Sequence, residues 1–320
     1  MDRTRNLANL TQSARAFQES RVLLTALELD VFTALGEGAT ASEASRRMST
    51  DPRATEMLLN ALVAIGALHK REAVFCCTED SKALGPARMG LMHTVHLWDT
   101  WSTLTECVRS GGAVRSRGPE GFSDTRTRAF IAAMHARAHE TAQDTVRLSA
   151  IHDAKRMLDV GGGSGAFSIA FALACPELRA EILDLGAVVP LAEEYIRDAG
   201  LEGRVRVRLG DMRTAEFGEG YDLVLLSAVC HMFGEDENRA LIERSARALD
   251  RGGHLVIREF ILDEGRAGPP RAALFALNML VGTEHGNTYS ESQYRAWMAQ
   301  AGLGSIVRPD PAGDVLVASK

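Results

Sequence analysis

Cysteine is scarce in this chain. Its 320 residues include five, two of them adjacent (Cys76 and Cys77), and none has the paired spacing of a disulfide framework or a zinc site. Aromatic residues make up 6% of the composition, too few for a stacking platform that would hold a porphyrin-sized ligand. Basic residues are outnumbered, with 36 Lys and Arg against 42 Asp and Glu and a net charge of −6, a balance that disfavours a nucleic-acid surface. No apolar run approaches the roughly 20 residues of a membrane span. The opening Met1-Asp2-Arg3-Thr4-Arg5 has no apolar core of a secretory signal, so a cytoplasmic protein with no membrane partner is expected. What is present is a 46% hydrophobic composition at a mean hydropathy of −0.07, and enough length for two domains.

The first part of the chain reads as helices followed by a small hairpin. Phe17, Val22, Leu23, Ala26 and Leu27 recur at helical spacing and predict one apolar face. Thr40-Ala41-Ser42-Glu43 is a capping box, in which Thr40 satisfies a free N–H and Glu43 reaches back. Asp51-Pro52 opens a helix from Arg53 to Ile65, with Met57, Leu58, Leu59, Ala61, Leu62 and Ile65 apolar, and Gly66 stops it. Leu68 to Cys76 predicts two short strands around a polar turn. Three helices and a wing describe a winged helix, which raises DNA binding. The wing turn Lys70-Arg71-Glu72 and the third helix, with Arg53 between Asp51 and Glu56, are poor material for phosphate contacts. An interaction surface is the better reading.

Residues from about Met89 to Ser149 read as helical, with Met92, Val95, His96, Trp98, Trp101, Leu104 and Val108 on an apolar face broken at Gly111-Gly112. His93 and His96 lie on that face as packing residues. Phe130 to His139 is a second helical stretch, running toward the segment that carries the strongest signal. Phe130 and Met134 there suit a flat substrate, since methionine adapts to irregular apolar shapes, and core packing is the plainer alternative. His135 and His139 are one helical turn apart, but no acidic or cysteine ligand accompanies them and no metal is expected.

That strongest signal is Met157-Leu158-Asp159-Val160-Gly161-Gly162-Gly163-Ser164-Gly165-Ala166-Phe167-Ser168. A short apolar strand ends in an acid and glycines, and a helix opens with small residues. Glycine permits positive φ and lets a ligand lie against bare peptide, while the free N–H groups of the helix start form an electropositive rim. Dinucleotide sites use a similar turn, but Ser168 stands where their third glycine or alanine falls. Two further strands end in carboxylates. Ala180 to Asp184 places Asp184 where an acid meets ribose hydroxyls. Val205 to Leu209 leads into Gly210-Asp211-Met212, an acidic tip that a dinucleotide does not need and an adenine with an exocyclic amine does. Beyond it, Tyr221 to Ser227 is apolar on both faces, as buried parallel strands are. Glu237 to Leu249 is a helix ended by Arg251-Gly252-Gly253, His254 to Phe260 the next strand, and Asp314 to Ala318 the last. Strand and helix in alternation predict an α/β, Rossmann-like doubly wound sheet with helices on both faces and ligands at its carboxyl edge.

Together, Asp159-Val160-Gly161-Gly162-Gly163-Ser164-Gly165, Asp184-Leu185 and Gly210-Asp211 resemble the S-adenosylmethionine pocket of class I methyltransferases. With Leu59 to Gly66, Leu225 to His231 and Leu274 to Leu280, the chain resembles, from about Leu7 to Val317, the small-molecule O-methyltransferases that carry a winged-helix dimerisation domain. The resemblance implies a winged-helix dimerisation domain over 1–88, a helical connector contributing to the substrate pocket over 89–149, and the catalytic domain over 150–320. It also implies a homodimer through the N-terminal domain, with S-adenosylmethionine as cofactor and a small-molecule acceptor. Gly161 and Gly163 would lie against the carboxypropyl end, Asp184 on the ribose, and Asp211 and Met212 around the adenine. Asp159, Leu185, Ser227 and Arg213 are further cofactor candidates; Phe130, Met134, Asn278 and Met279 are the substrate candidates.

A phenol with a pKa near 10 needs a base, and histidine titrates in the right range. His231 stands just beyond the strand ending at Ser227, and the family histidine at this position takes the acceptor's proton. Glu259 matches a family carboxylate that orients it. The expected reaction is O-methylation of an aromatic or polyketide-like metabolite. The alternatives are a related scaffold methylating carbon or nitrogen, or running hydroxylation, decarboxylation or rearrangement, and, less favoured, a winged-helix regulator. Four positions depart from the plant pattern. Met232-Phe233 replaces Asp-Trp after the histidine, Thr288 falls where a second acidic helper is expected, and Gly186 replaces a proline. His285 sits in a polar loop after a helix expected to line the acceptor pocket.

Overall fold

The computed structural model describes residues 6–115 and 123–320, which divide into two compact units between Leu97 and Trp98.

The first unit opens with α1 (Leu7–Arg15), capped by Asn6, and continues through α2 (Phe17–Glu28), α3 (Val31–Leu35), β1 (Ala39–Thr40), α4 (Ala41–Met48) and α5 (Pro52–Ala64). The hairpin β2 (Leu68–Arg71) and β3 (Val74–Cys77) follows, then α6 (Glu79–Lys82) and α7 (Leu84–Trp101), whose last residues belong to the second unit. The sequence-read capping box is formed: Thr40 N–H donates to Glu43 Oε2 at 2.8 Å and Glu43 N–H to Thr40 Oγ1 at 3.3 Å. The wing gains a strand that local pattern does not announce, since β1 pairs antiparallel with β3 to give the order β1-β3-β2. The core of this unit is Leu24, Leu27, Phe32, Leu35, Leu59, Leu62, Leu68 and Phe75. Phe17 and Met57, read as members of the apolar faces, are instead 55% and 60% exposed, because the helices turn Leu24, Leu27, Leu59 and Leu62 inward. All nine residues of α1 are exposed.

The second unit adds α8 (Leu104–Ser110), stopped by Gly111 in the left-handed region, and the long α9 (Asp124–Ser149). The strands and helices then alternate: β4 (Arg156–Val160), α10 (Ala166–Ala174), β5 (Arg179–Asp184), α11 (Val189–Asp198), β6 (Val205–Leu209), β7 (Tyr221–Ser227) and α12 (Glu235–Ala248). The remainder is β8 (Leu249–Arg258), β9 (Ile261–Leu262), α13 (Pro270–Gly282), β10 (Tyr289–Ser290), α14 (Glu291–Gln300), β11 (Gly304–Val307) and β12 (Val315–Ser319). Seven strands form one sheet in the order β11-β12-β8-β7-β4-β5-β6. β8, β7, β4, β5 and β6 are parallel; β12 runs antiparallel to β8, and the edge strand β11 antiparallel to β12.

Alternation along the strands divides the core between the two faces. Met157, Ile182, Leu223, Leu225 and Val256 pack under Ala142 and Val146 of α9 and Phe167 and Phe171 of α10. Leu158, Val160, Val224, Leu226 and Ile257 pack under Leu241 and Ile242 of α12 and Tyr294 and Trp297 of α14. Each such side chain contributes roughly 1.5–3 kcal/mol on burial. One boundary differs from expectation: β8 begins at Leu249 and runs through Gly252-Gly253, read from sequence as a helix stop. Gly252 takes φ +81° there, and the pairing of β7 with β8 shifts register across this stretch, so the glycines bend a strand instead of ending a helix. Among the described residues no helix is long and apolar enough to cross a membrane.

Candidate active site

The glycine loop leaves the carboxyl end of β4 at the sheet's centre. Gly161, Gly163 and Gly165 all have positive φ, at 68°, 58° and 76°, and Gly161 N–H donates to Leu183 O at 2.8 Å. A Cβ on Gly161 would lie 2.6 Å from Met212 Cε and 2.7 Å from Val229 Cγ1, so the backbone is the only surface that fits here. Gly163 N–H donates to Asp184 Oδ2 at 2.8 Å, and Leu185 N–H to Asp184 Oδ1 at 2.7 Å. These bonds fix the Asp184 carboxylate at the end of β5 while leaving each oxygen a second lone pair. Burial raises its pKa, against those two backbone hydrogen bonds.

Asp159 points to the α10 side of the sheet, where Ser168 Oγ donates to its Oδ2 at 2.7 Å. The serine standing at the third-glycine position is thus a partner for this acid, a pairing the motif alone does not reveal. Asp159 Oδ1 is buried with no hydrogen-bond partner, and so is Ser227 Oγ at the end of the neighbouring β7. Burial drives the Asp159 pKa up to about 7, with the Ser168 bond opposing and the Asp184 charge assisting. Asp211 differs from the sequence picture of a free acidic tip. Arg213 donates to it from its backbone N–H at 2.9 Å and from its guanidinium Nη2 at 2.7 Å, and the Arg213 side chain lowers the carboxyl pKa. Met212 packs its thioether end toward Gly161.

His231 lies in a short 3-10 turn (Cys230–Met232) after β7. Ala228 turns the chain there with φ +56°, a conformation that L-residues rarely adopt. Asn238 of α12 secures the turn by donating from Nδ2 to Cys230 O at 2.9 Å and Phe233 O at 3.2 Å. Asn287 N–H donates to His231 O at 2.9 Å. The ring is buried, and its Nδ1 lies 2.8 Å from Glu259 Oε2. Glu259 Oε1 accepts the His231 backbone N–H at 3.3 Å, and Phe260 N–H donates to Oε2 at 3.2 Å. A carboxylate only accepts, so Nδ1 carries the proton and Nε2 is left as the basic nitrogen. The ring meets Phe275 of α13 edge-on at 4.8 Å, and Phe275 stacks on Phe260 at 3.9 Å. This aromatic wall was not read from the sequence.

The other sequence candidates are placed as follows. Asn278 of α13 accepts the Trp101 indole N–H at 2.8 Å through Oδ1, so its carboxamide is already committed to a partner. Met279 is buried on the same helix. Phe130 packs with Tyr195 against Ile131, Val188 and Leu191, and Met134 is partly buried on α9. Thr288 is buried and its hydroxyl donates to Ala272 O at 3.2 Å. His285 is exposed and sits 3.6 Å from Glu284. His135 and His139 stack at 6.2 Å, with His135 Nδ1 2.9 Å from Ser164 Oγ.

Residues 101–304 match the O-methyltransferase domain family, and residues 11–85 match the O-methyltransferase dimerisation domain. The chain belongs to the O-methyltransferase family. The methyltransferase is 31% identical over 312 residues to 3-hydroxy-5-methyl-1-naphthoate 3-O-methyltransferase of Streptomyces sahachiroi, covering 93% of this chain and 89% of that one. It is 29% identical to L-tyrosine C(3)-methyltransferase of Streptomyces lavendulae, over 93% and 86% of the two chains. Its fold is that of human N-acetylserotonin methyltransferase, solved in complex with S-adenosylmethionine, with a TM-score of 0.83 at 24% identity over 100% and 99% of the chains. The methyltransferase is an S-adenosylmethionine-dependent enzyme by family. The edge described above fits that cofactor. Gly161 has no room for a Cβ and Gly163 takes a positive φ, so the loop there is bare backbone; Asp184 keeps lone pairs for two hydroxyls, and Asp159 Oδ1 and Ser227 Oγ are buried without a partner.

Proposed function

We propose that the methyltransferase methylates a hydroxyl of an aromatic or polyketide-like small molecule, with His231 as general base and Glu259 as its orienting partner. The observation that carries this reading is the buried His231–Glu259 pair, 2.8 Å apart, beside the Phe260–Phe275 stack. When bound, S-adenosylmethionine supplies an electrophilic methyl group. Gly161 and Gly163 hold it by their backbone, with Asp159 and Ser227 at the same edge; Asp184 and Leu185 take the ribose, and Asp211, Met212 and Arg213 the adenine. The chain's own task is then positioning and proton removal. Glu259 holds the Nδ1–H tautomer, His231 Nε2 accepts the hydroxyl proton, and the carboxylate stabilises the imidazolium. Phe260 and Phe275 give an aromatic acceptor an apolar wall, joined in this reading by Phe130, Met134, Asn278 and Met279.

A second reading, transfer to carbon or nitrogen, is favoured by the similarity to L-tyrosine C(3)-methyltransferase. One experiment separates the two. Wild type and His231→Ala are given methyl-labelled S-adenosylmethionine and a panel of phenols, naphthols and anilines, and the labelled products are analysed by NMR. Methyl ethers from wild type, with kcat reduced about 10²–10³-fold in the variant, support O-transfer by a histidine base. Label on carbon or nitrogen overturns the hydroxyl as acceptor; full activity of the variant overturns the base. We also propose a homodimer through the first unit, supported by the dimerisation-domain match and by the bare apolar positions Leu7, Leu10 and Phe17. Light scattering at the mass of one chain would refute it.

A further inference from the structure

We propose that His135 is a positioning residue for the cofactor loop, coupling the front of α9 to Ser164 in that loop and to Tyr195 of α11. The proposal rests on the reading that Gly161, Gly163 and Asp184 hold S-adenosylmethionine. His135 Nδ1 lies 2.9 Å from the hydroxyl of Ser164, the buried side chain inside the glycine loop. Its ring lies flat on Tyr195, with centroids 3.9 Å apart and planes 14° from parallel. Tyr195 belongs to the helix that follows Asp184-Leu185, so a single imidazole touches both segments that carry cofactor ligands. Those two segments are also tied directly, by the Gly163 N–H to Asp184 bond of 2.8 Å. His135 closes the third side of that triangle.

The two halves of α9 are held differently. Its rear packs Ala142 and Val146 into the core with Phe167 and Phe171. Its front lies against the small cluster of Ile131, Val188 and Leu191, and Ile131 Cδ1 is 3.9 Å from where a Gly163 Cβ would be. Beyond that cluster the front has an Arg128–Glu194 ion pair at 3.0 Å, with both side chains about half exposed, which holds little in water. The part-buried polar contact to Ser164 is directional. Burial, with His139 alongside, lowers the His135 pKa, and a neutral ring bonds the hydroxyl without bringing a charge to the loop. Fixing Ser164 orients the loop N–H groups before the cofactor arrives, and preorganisation of this kind is expressed as affinity.

The test is calorimetric titration of S-adenosylmethionine and S-adenosylhomocysteine into wild type, His135→Phe, His135→Asn, Ser164→Ala and the His135→Phe/Ser164→Ala double variant. Phenylalanine keeps the stack on Tyr195 and loses the hydrogen bond; asparagine places an amide near the Nδ1 position and loses the stack. His135→Phe and Ser164→Ala are each expected to bind about tenfold more weakly, and His135→Asn within roughly threefold of wild type. The double variant should bind no more weakly than either single one. At saturating cofactor, kcat and the acceptor KM of His135→Phe should stay within about twofold of wild type. Wild-type affinity in His135→Phe, losses that multiply in the double variant, or kcat falling together with affinity would each overturn the proposal. Should wild type itself bind neither ligand, the cofactor reading fails first and this inference falls with it.

Discussion

Asp159 is a buried acid held near its own titration point, and replacing it with asparagine should stabilise the ligand-free protein increasingly as pH rises above about 4. The carboxyl is wholly inaccessible, one oxygen accepts from Ser168 and the other has no partner. Burial moves its pKa from 3.8 to about 7. Between those values the native state holds a proton that the unfolded chain has lost, so this group's contribution to stability falls as pH rises from about 4 to about 7. Above that range the full penalty is on the order of 4 kcal/mol. The carboxamide of an Asp159→Asn variant is neutral at every pH, keeps the shape, and can still accept from Ser168. Its advantage over wild type should be about 1.6 kcal/mol at pH 5 and about 4 kcal/mol at pH 8. That corresponds to a rise in unfolding midpoint on the order of 10 °C for a unit of this size. Other titrating groups are common to both proteins and cancel in the comparison. Thermal and urea unfolding at the two pH values measure it directly. A second arm uses binding. A cationic cofactor favours the ionised acid, so near pH 7 wild type should release about half a proton on binding S-adenosylmethionine. That release is seen as a dependence of the calorimetric enthalpy on buffer ionisation heat, and Asp159→Asn should lack it. Equal stability at pH 8, or an enthalpy indifferent to buffer, would refute the account of a buried charge awaiting a cation.

Two further substitutions probe the base and the loop. Glu259→Gln keeps the side-chain volume but removes the negative charge that would stabilise the His231 imidazolium, and one end of its amide must face an N–H that the carboxylate accepted. Steady-state kinetics should show kcat down by about 10²–10³ with cofactor affinity unchanged, and a variant that turns over normally would remove Glu259 from the mechanism. In Gly161→Ala the new Cβ meets Met212 Cε at 2.6 Å and Val229 Cγ1 at 2.7 Å, at φ +68°. The methionine tip moves easily, but the branched valine does not. A loss of about 1–2 kcal/mol of stability and of at least about tenfold in cofactor affinity is expected. Scanning calorimetry and titration report both, and undiminished binding would contradict the close approach of cofactor to backbone.

What could be read from sequence was what is local. The Thr40–Glu43 box, the positive-φ glycines and the carboxylates at strand ends depend on neighbours a few residues away, and the strand alternation follows from the pleat. What could not be read depends on which elements lie together. Trp101 reaches Asn278, and Phe260 stacks on Phe275. The short β1 leaves no trace in the pattern because two residues carry no period, and Gly252-Gly253 reads wrongly because a bulged strand and a helix stop use the same residues. His231 and Glu259 were named from resemblance; their 2.8 Å approach comes from a turn that no spacing rule specifies.

That turn separates two properties that evolution can then change one at a time. The direction of His231 is set by a left-handed alanine, by two asparagines gripping the backbone and by Glu259. Phe275, by contrast, belongs to α13, a helix with Leu274 lying out in solvent. In the proposed reading, mutations along that helix would resize or reshape what the acceptor meets while the His231 ring stays where it is. A scaffold wired this way is free to drift among substrates without first losing its chemistry.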